Sequence, residues 1–319
     1  MFAVVRLLSQ QQVGGRATTS TSMMATTRRL LSSTSSDNKY YTLGLTGSNG
    51  LIGTALRDEI QQRGSVHGKP VRVVCLRRGT HAEDVSDDNS FPQGESSLGW
   101  NPNGATPDDI IHPHALQQMD ALIHLSGENI STGQGPLGFL GIRPWTDSKK
   151  AEILNSRVQT TTALAKAIAA NANKNNKIDF LAASGVGAYG NHFISSEFDA
   201  VDETSGDTEH AQGFLAEVSR QNEAAAQLAA SNGRVVVMRN GVVLSKQGGA
   251  MAKLVPIFLL GGGGIVGSGQ QYFPTISARD MARAMIHVLE TPSLEGPINL
   301  CAPNCPTNAE FTSAMVSMY

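Results

Sequence analysis

Three glycines at intervals of three residues, in Gly47-Ser48-Asn49-Gly50-Leu51-Ile52-Gly53, stand between an apolar run (Tyr41 to Thr46) and a helical pattern (Leu51 to Arg63). A strand that turns at once into a helix through such a stretch has few folds open to it. One glycine permits the tight turn, one lets backbone approach a ligand, and one lets helix and strand pack closely. The helix then offers unpaired N–H groups and the positive end of its dipole, a ready site for phosphate. Gly47, Ser48, Asn49, Gly50, Leu51, Ile52 and Gly53 are therefore candidate contacts to the pyrophosphate of a dinucleotide.

The rest of the chain keeps the same alternation. Val71 to Leu76 is a continuous β-branched run, the mark of a strand buried on both faces. Residues 79–99, acidic and rich in Ser and Gly, read as an exposed loop. Strands are expected at Asp120 to Leu125, Ile178 to Ser184 and Arg234 to Leu244, with helices at Asp147 to Ala170 and Ala211 to Ala230. This order implies an α/β fold, a doubly wound parallel sheet of the Rossmann type. After residue 245 the pattern changes: Leu254 to Val266, with Pro256 and four consecutive glycines, reads as a loop. Ser277 and Asp280 form a capping box for a helix Asp280 to Leu289, Ile298 to Cys301 is a short strand, and Asn308 to Tyr319 starts a helix that stops abruptly. The expected division is a dinucleotide-binding domain at 39–245 and a small substrate-side lobe at 246–319, with its C-terminal piece missing.

Composition narrows the function classes. A net charge of −2 gives no general attraction to nucleic acid or to a membrane surface, and no stretch reaches the eighteen apolar residues of a span. Cys75, Cys301 and Cys305 are too few for a disulfide scaffold and fit no zinc or CxxC spacing. Residues 1–38 contain Arg6, Arg16, Arg28 and Arg29 among many Ser and Thr, with Asp37 their only acidic residue. That is the composition of a transit peptide or of a disordered tail. The arginines and the RRLLS segment suit a mitochondrion, with a plastid as the alternative.

The end of the second strand separates the two nicotinamide cofactors. A carboxylate there binds the ribose 2′-hydroxyl of NAD, whereas arginine accommodates the 2′-phosphate of NADP. This chain has Arg77-Arg78, with no acidic neighbour; the expected cofactor is NADP. Leu125-Ser126-Gly127 follows the next strand and is expected to pass under the adenine ribose.

The stretches TGSNGLIG, HLSGENI, WTDSKKAEILNSR, GAYG, MRNGVVL, GGAMAKLVPIFLLGGGGIVGSGQQYFPTISARD and PTNAEF, in this order, resemble an atypical, epimerase-like branch of the extended short-chain dehydrogenase/reductases over residues 41–319. The resemblance implies that the glycine turn, Arg77, Arg78, Leu125 and Ser126 line NADP. It also implies that Glu152 and Arg157 look toward the cofactor and that Val243 lies against the nicotinamide amide. Glu152 and Arg157 are five residues apart, about 500° of helical turn, so one must approach from an end or flank.

The same resemblance exposes a gap. These enzymes use Ser, Tyr and Lys, the tyrosine acting as acid/base and the lysine depressing its pKa. Ser184 fits the serine position, but Phe214 stands at the tyrosine position and Val218 at the lysine position. Tyr189 is the nearest phenol; without a lysine its pKa is expected to stay near ten. Ser184 and Tyr189 are the catalytic candidates. His112 and His114 read as solvated, His124 as a core histidine, and Trp145 and Lys149 as possible borders of the site. The Gly261 to Gly269 region with Tyr272 and Phe273 is an expected cleft wall. Two functions follow: an NADP-dependent oxidoreductase or epimerase for a small polar substrate, nucleotide-linked ones included, or a non-catalytic NADP-binding protein that reports redox state in an organelle. The sequence carries no signal of oligomeric state.

Overall fold

A computed structural model describes residues 39–79, 95–130, 145–171, 177–190, 202–204 and 208–318. The segment expected to be a transit peptide or tail, 1–38, lies outside them, as does most of the expected acidic loop. In chain order the elements are β1 (Tyr41–Thr46), α1 (Leu51–Arg63), β2 (Ser65–Val66), β3 (Lys69–Arg78), β4 (Glu95–Trp100), α2 (Pro107–Ile110), α3 (Pro113–Leu116), β5 (Ala121–His124) and α4 (Asp147–Ala170). There follow β6 (Asp179–Gly185), α5 (Phe214–Ala226), β7 (Val235–Asn240), β8 (Val242–Ser245), α6 (Gly249–Leu259), β9 (Thr275–Ser277), α7 (Ala278–Glu290), β10 (Gly296–Leu300) and α8 (Asn308–Met318). Short 3₁₀ helices follow β6 (Val186–Tyr189) and α5 (Gln227–Asn232).

The main sheet runs β4-β3-β1-β5-β6-β7-β10, all parallel, with the short β2 antiparallel on β3. From β1 the chain goes first to one side (β3, β4) and then to the other (β5, β6, β7). The order therefore reverses between β1 and β5, and a crevice opens beyond their carboxyl ends. Alternate residues of each strand serve opposite faces. Leu43, Leu45 and Ile123 meet Leu56 and Ile60 of α1 and Met281, Met285 and Leu289 of α7. Leu122, Phe180 and Val237 meet Leu164 and Ile168 of α4 on the other face.

The doubly wound fold is as expected, and three local readings are corrected. Glu95–Trp100, placed in an exposed loop, is a strand whose last four residues are buried. Its Ser and Gly residues hide a strand that register with β3 imposes, Arg77 opposite Gly99 and Arg78 opposite Trp100. The expected strand Arg234 to Leu244 is two strands: the chain leaves the main sheet at Gly241, and β8 pairs with β9. The first part of the expected loop Leu254 to Val266, through Leu259, belongs to helix α6, which carries Pro256 inside it. Proline removes one N–H and crowds the preceding turn, but α6 ends three residues later, so little of the helix is lost.

The segment 246–319 is not wholly a separate lobe. Its α7 packs on α1, and its β10 extends the main sheet beside β7. The β8–β9 pair, α6 and α8 stand outside the sheet. Among the described residues no helix is long and apolar enough to cross a membrane.

Candidate functional site

The glycine turn lies at the carboxyl end of β1, on the crevice. Gly47 has φ +67°, a left-handed conformation that side chains disfavour. A methyl group there would stand 2.9 Å from the Leu125 carbonyl carbon, so the turn touches the strand-end loop of β5 directly. Gly50 is the N-cap of α1 and has no side chain to satisfy the first-turn amides; those N–H groups face the helix end. At Gly53 a Cβ would come within 2.3 Å of the Gly47 carbonyl oxygen, so the third glycine is what lets helix and turn close on each other. The cradle fits a pyrophosphate, and Leu51 and Ile52 give it backbone donors. Arg77 and Arg78 end β3, beyond Leu76, which pairs with Thr46; they therefore stand level with the turn that follows Thr46.

A hydrogen-bond chain holds the other wall. Thr46 Oγ1 accepts from the Leu125 amide (3.1 Å) and the Ser126 amide (3.3 Å) and meets His124 Nδ1 at 2.7 Å. His124 Nε2 meets Thr160 Oγ1 at 3.1 Å, and that hydroxyl donates to the Ser156 carbonyl at 2.6 Å. Donor and acceptor counting leaves one arrangement: Thr46 donates to Nδ1 and Nε2–H donates to Thr160, so the ring is neutral. Complete burial, helped by Arg78, pushes the His124 pKa down to about 3. His124 is a core histidine that fixes the loop Leu125-Ser126-Gly127. Sequence reasoning placed His124 in the core but missed Thr46 and Thr160, since nothing local pairs residues so far apart.

Helix α4 covers that loop. Arg157 lies over Gly127, where a Cβ would be 3.2 Å from its Cζ. Its guanidinium donates to the Ile153 carbonyl (3.1 Å), and the Glu128 carboxylate lies near enough to offset part of its burial. Burial lowers its pKa, a cost that an anion placed beside it would offset. Glu152, five residues before Arg157 on α4, makes a different contact. It is largely exposed and pairs with Lys149 at 3.3 Å. Lys149 also pairs with Glu128 at 2.6 Å, and the Glu128 amide donates to Ser156 Oγ. Val243, in β8, packs on the same core cluster as Ile52 and Leu125. Gly249, at the start of α6, abuts the Leu51 side chain, so β8 and α6 reach the mouth of the cradle.

The two catalytic candidates sit farther along the carboxyl edge, in a network of their own. Ser184 Oγ donates to Glu223 Oε1 at 2.8 Å, and Glu223 forms a two-pronged ion pair with buried Arg239 (2.8 and 3.1 Å). Arg239 also donates to the Tyr189 hydroxyl (3.2 Å), which donates to Asn299 Oδ1 at 2.8 Å. Burial raises the Tyr189 pKa, and the nearby Arg239 and Asn299 offset only part of that rise. Ser184 and Tyr189 are thus brought together, but their protons are committed to this network. Glu223 and Arg239 escaped the sequence reading because their partners lie 16 to 50 residues away. Val218 is buried, and Phe214 packs on Trp145 with ring centroids 5.3 Å apart. Lys150 Nζ stands 6.0 Å from the Phe214 ring, and the Trp145 indole donates to the Ile130 carbonyl. An aromatic wall therefore occupies the place where an acid/base pair was sought. His112 and His114 lie on the exposed α3 turn, away from the crevice elements. No group of three or more potential metal ligands exists among the described residues.

The sequence pattern of the NAD dependent epimerase/dehydratase family matches residues 44–301. An epimerase family protein of Mycobacterium bovis is 36% identical over 271 residues, covering 85% of this chain and 76% of that protein. The crystal structure of human epimerase family protein SDR39U1 (isoform 2) with NADPH is 32% identical, covers 86% of this chain and 80% of its own, and superposes with a TM-score of 0.63. A UDP-glucuronic acid 4-epimerase from Bacillus cereus, solved with UDP-glucuronic acid and NAD, shares the fold at 15% identity, covering 87% of this chain and 82% of its own, with a TM-score of 0.62.

Proposed function

The chain belongs to the NAD dependent epimerase/dehydratase family, and from that premise we propose that it is an NADP-dependent oxidoreductase acting on a small molecule. One observation carries the choice of cofactor: Arg77 and Arg78 end the strand beside the phosphate cradle, at the place that receives the adenosine ribose, with no acidic side chain next to them in sequence. The relative crystallised with NADPH supports the same reading. The chain's part is to hold pyrophosphate at Gly47 to Gly53, the 2′-phosphate at Arg77 and Arg78, the ribose side at Leu125 to Gly127, and the nicotinamide end near Val243. Arg157 adds a positive charge over Gly127. A nicotinamide held there supplies a hydride donor or acceptor.

A second reading has its own observation. Phe214 and Val218 cannot move a proton, and Ser184 and Tyr189 are tied to the Arg239–Glu223 pair. On that ground the chain holds NADP without turnover and presents a cofactor-dependent surface, in keeping with a redox-reporting role. Thermal melting of the full chain with NADPH, NADP, NADH and NAD tests what both share. A ligand present at a hundredfold over its Kd stabilises the folded state by about 2.7 kcal/mol. NADPH and NADP are expected to raise the melting temperature while NADH and NAD do not; an equal rise with NADH would remove the arginine argument. Installing Phe214→Tyr with Val218→Lys separates the two readings. Turnover gained only in that variant favours the holding protein, and turnover in the parent favours the enzyme.

A further inference from the structure

Cys301 and Cys305 bound the turn Cys301-Ala302-Pro303-Asn304-Cys305, which follows β10 and leads toward α8. Pro303 and Asn304, residue types suited to the middle of a turn, are exposed at its tip. Both ends are anchored on the segment that enters β9. The Ala302 amide donates to the Thr275 carbonyl at 2.7 Å, and the Phe273 amide donates to the Pro306 carbonyl at 2.7 Å. Phe273 and Thr275 are two residues apart, a span of at most about 7 Å. Ala302 and Pro306 are separated by twice as much chain, yet they are held across that same short span. Cys301 and Cys305 each precede one of these anchors and share their spacing. A disulfide joins Cα atoms roughly 4.4–6.8 Å apart, so the anchored turn sets the pair at bridging range.

Both thiols are free and half-buried, whereas Cys75 is wholly buried in β3. Cys305 Sγ lies 3.9 Å from the Pro306 carbonyl oxygen, with the Phe273 amide beside it. Cys301 Cβ lies 3.2 Å from the place a Cβ on Gly241 would take, and at Gly241 the chain leaves the main sheet for β8. The Val242 amide in turn donates to the Pro274 carbonyl at 2.8 Å. The two cysteines thus flank Phe273-Pro274-Thr275, the stretch that holds β8 with its Val243. Burial pushes both thiols up, Cys305 to about 11, and the neighbouring Cys301 adds to the rise at Cys305. Strongly oxidising dithiols are those whose reduced form is stabilised. Here the surroundings disfavour both thiolates on balance, so a disulfide once closed is kept.

The geometry points to Cys301 and Cys305 as a reversible thiol–disulfide switch, closed by exchange with a low-molecular-weight disulfide and acting on the β8–β9 pair. One cysteine, as thiolate, attacks the small disulfide, forms a mixed disulfide and releases one small thiolate. The second cysteine then attacks the protein sulfur of that mixed disulfide and releases the other. Two protein S–H groups are oxidised to one S–S bond, the small disulfide is reduced to two thiols, and the two protons end on the released thiolates. Disulfides of this kind inside cells are usually transient and redox-sensing.

The test incubates the full chain overnight with excess oxidised glutathione or with dithiothreitol, in mildly alkaline buffer where more thiolate is present. Alkylation under denaturing conditions, intact mass and peptide mapping follow. The oxidised protein is expected to lose two hydrogen atoms, to map a bridge between Cys301 and Cys305 with Cys75 still alkylated, and to revert with dithiothreitol. Cys305→Ser is expected to keep glutathione on Cys301, where no second thiol can displace it. A parent that stays reduced, or that keeps a glutathione adduct in place of the bridge, overturns the site. NADPH titrated into the two forms is expected to give affinities at least about fivefold apart; equal affinities overturn the action on β8–β9. That arm rests on the cofactor reading: if NADPH binds neither form, that reading fails, and the peptide map still decides the disulfide.

Discussion

At the scale of single residues, the site depends on atoms that are missing. A methyl group at position 53 would meet the Gly47 carbonyl oxygen at 2.3 Å and the Ser48 Cα at 2.8 Å, both backbone atoms that cannot rotate away. Gly53→Ala is therefore expected to open the turn and weaken NADPH at least tenfold, measured by fluorescence titration, with a smaller loss of melting temperature. Arg77 and Arg78 do the opposite work, adding charge at the end of β3, level with the turn. A charge-assisted hydrogen bond contributes about 1.5–3 kcal/mol, so Arg77→Ala or Arg78→Ala should weaken NADPH roughly 10- to 100-fold and leave NADH unchanged. An equal loss for both cofactors would mean that the arginines support the strand and do not read the phosphate.

At the scale of elements, what the sequence makes legible is what local chemistry decides. Helix α1, helix α4 and the Ser277–Asp280 cap of α7 lie where periodicity and capping place them. Strand β4 and helix α6 do not, since pairing with β3 overrides Ser and Gly in one and packing overrides Pro256 in the other. The glycine turn and arginine pair were readable because each motif is contiguous. The Ser184–Glu223–Arg239–Tyr189–Asn299 network was not, because it joins β6, α5, β7 and β10 across as many as 110 residues. That network also has a measurable consequence. Removing one partner of a buried ion pair leaves the other charge uncompensated, at a cost of about 3–5 kcal/mol. Urea unfolding of Glu223→Gln should show a loss at or below the low end of that range, because Glu223 keeps 16% exposure. The double change Glu223→Leu with Arg239→Met is expected to recover most of it; a double variant as weak as the single would show that the pair organises the sheet edge beyond its own charge.

At the scale of the whole molecule, His124 couples stability to pH. It ties β1, β5 and α4 together as a neutral ring, with a folded pKa of about 3 against 6.5 unfolded. Between those values the unfolded chain binds a proton that the folded chain refuses. The contribution of His124 is therefore fully present above pH 6.5 and is lost as pH falls toward 3. While only the unfolded state is protonated, the loss is about 1.4 kcal/mol per pH unit. Carboxylates titrate over part of the same range, so the expected signature is a difference of slopes. His124→Gln keeps one donor and one acceptor near the two threonines and cannot titrate. Plotted from pH 6 to pH 4, unfolding free energy should fall more steeply in the parent than in this variant, by close to one proton's worth. Parallel lines would mean that the ring is already protonated in the folded state, and the hydrogen-bond order assigned to Thr46, His124 and Thr160 would then be wrong. With it would go the account of the Leu125 and Ser126 amides: if Thr46 does not donate to the ring, its proton has to be placed elsewhere, and the loop Leu125 to Gly127 is no longer fixed by this chain.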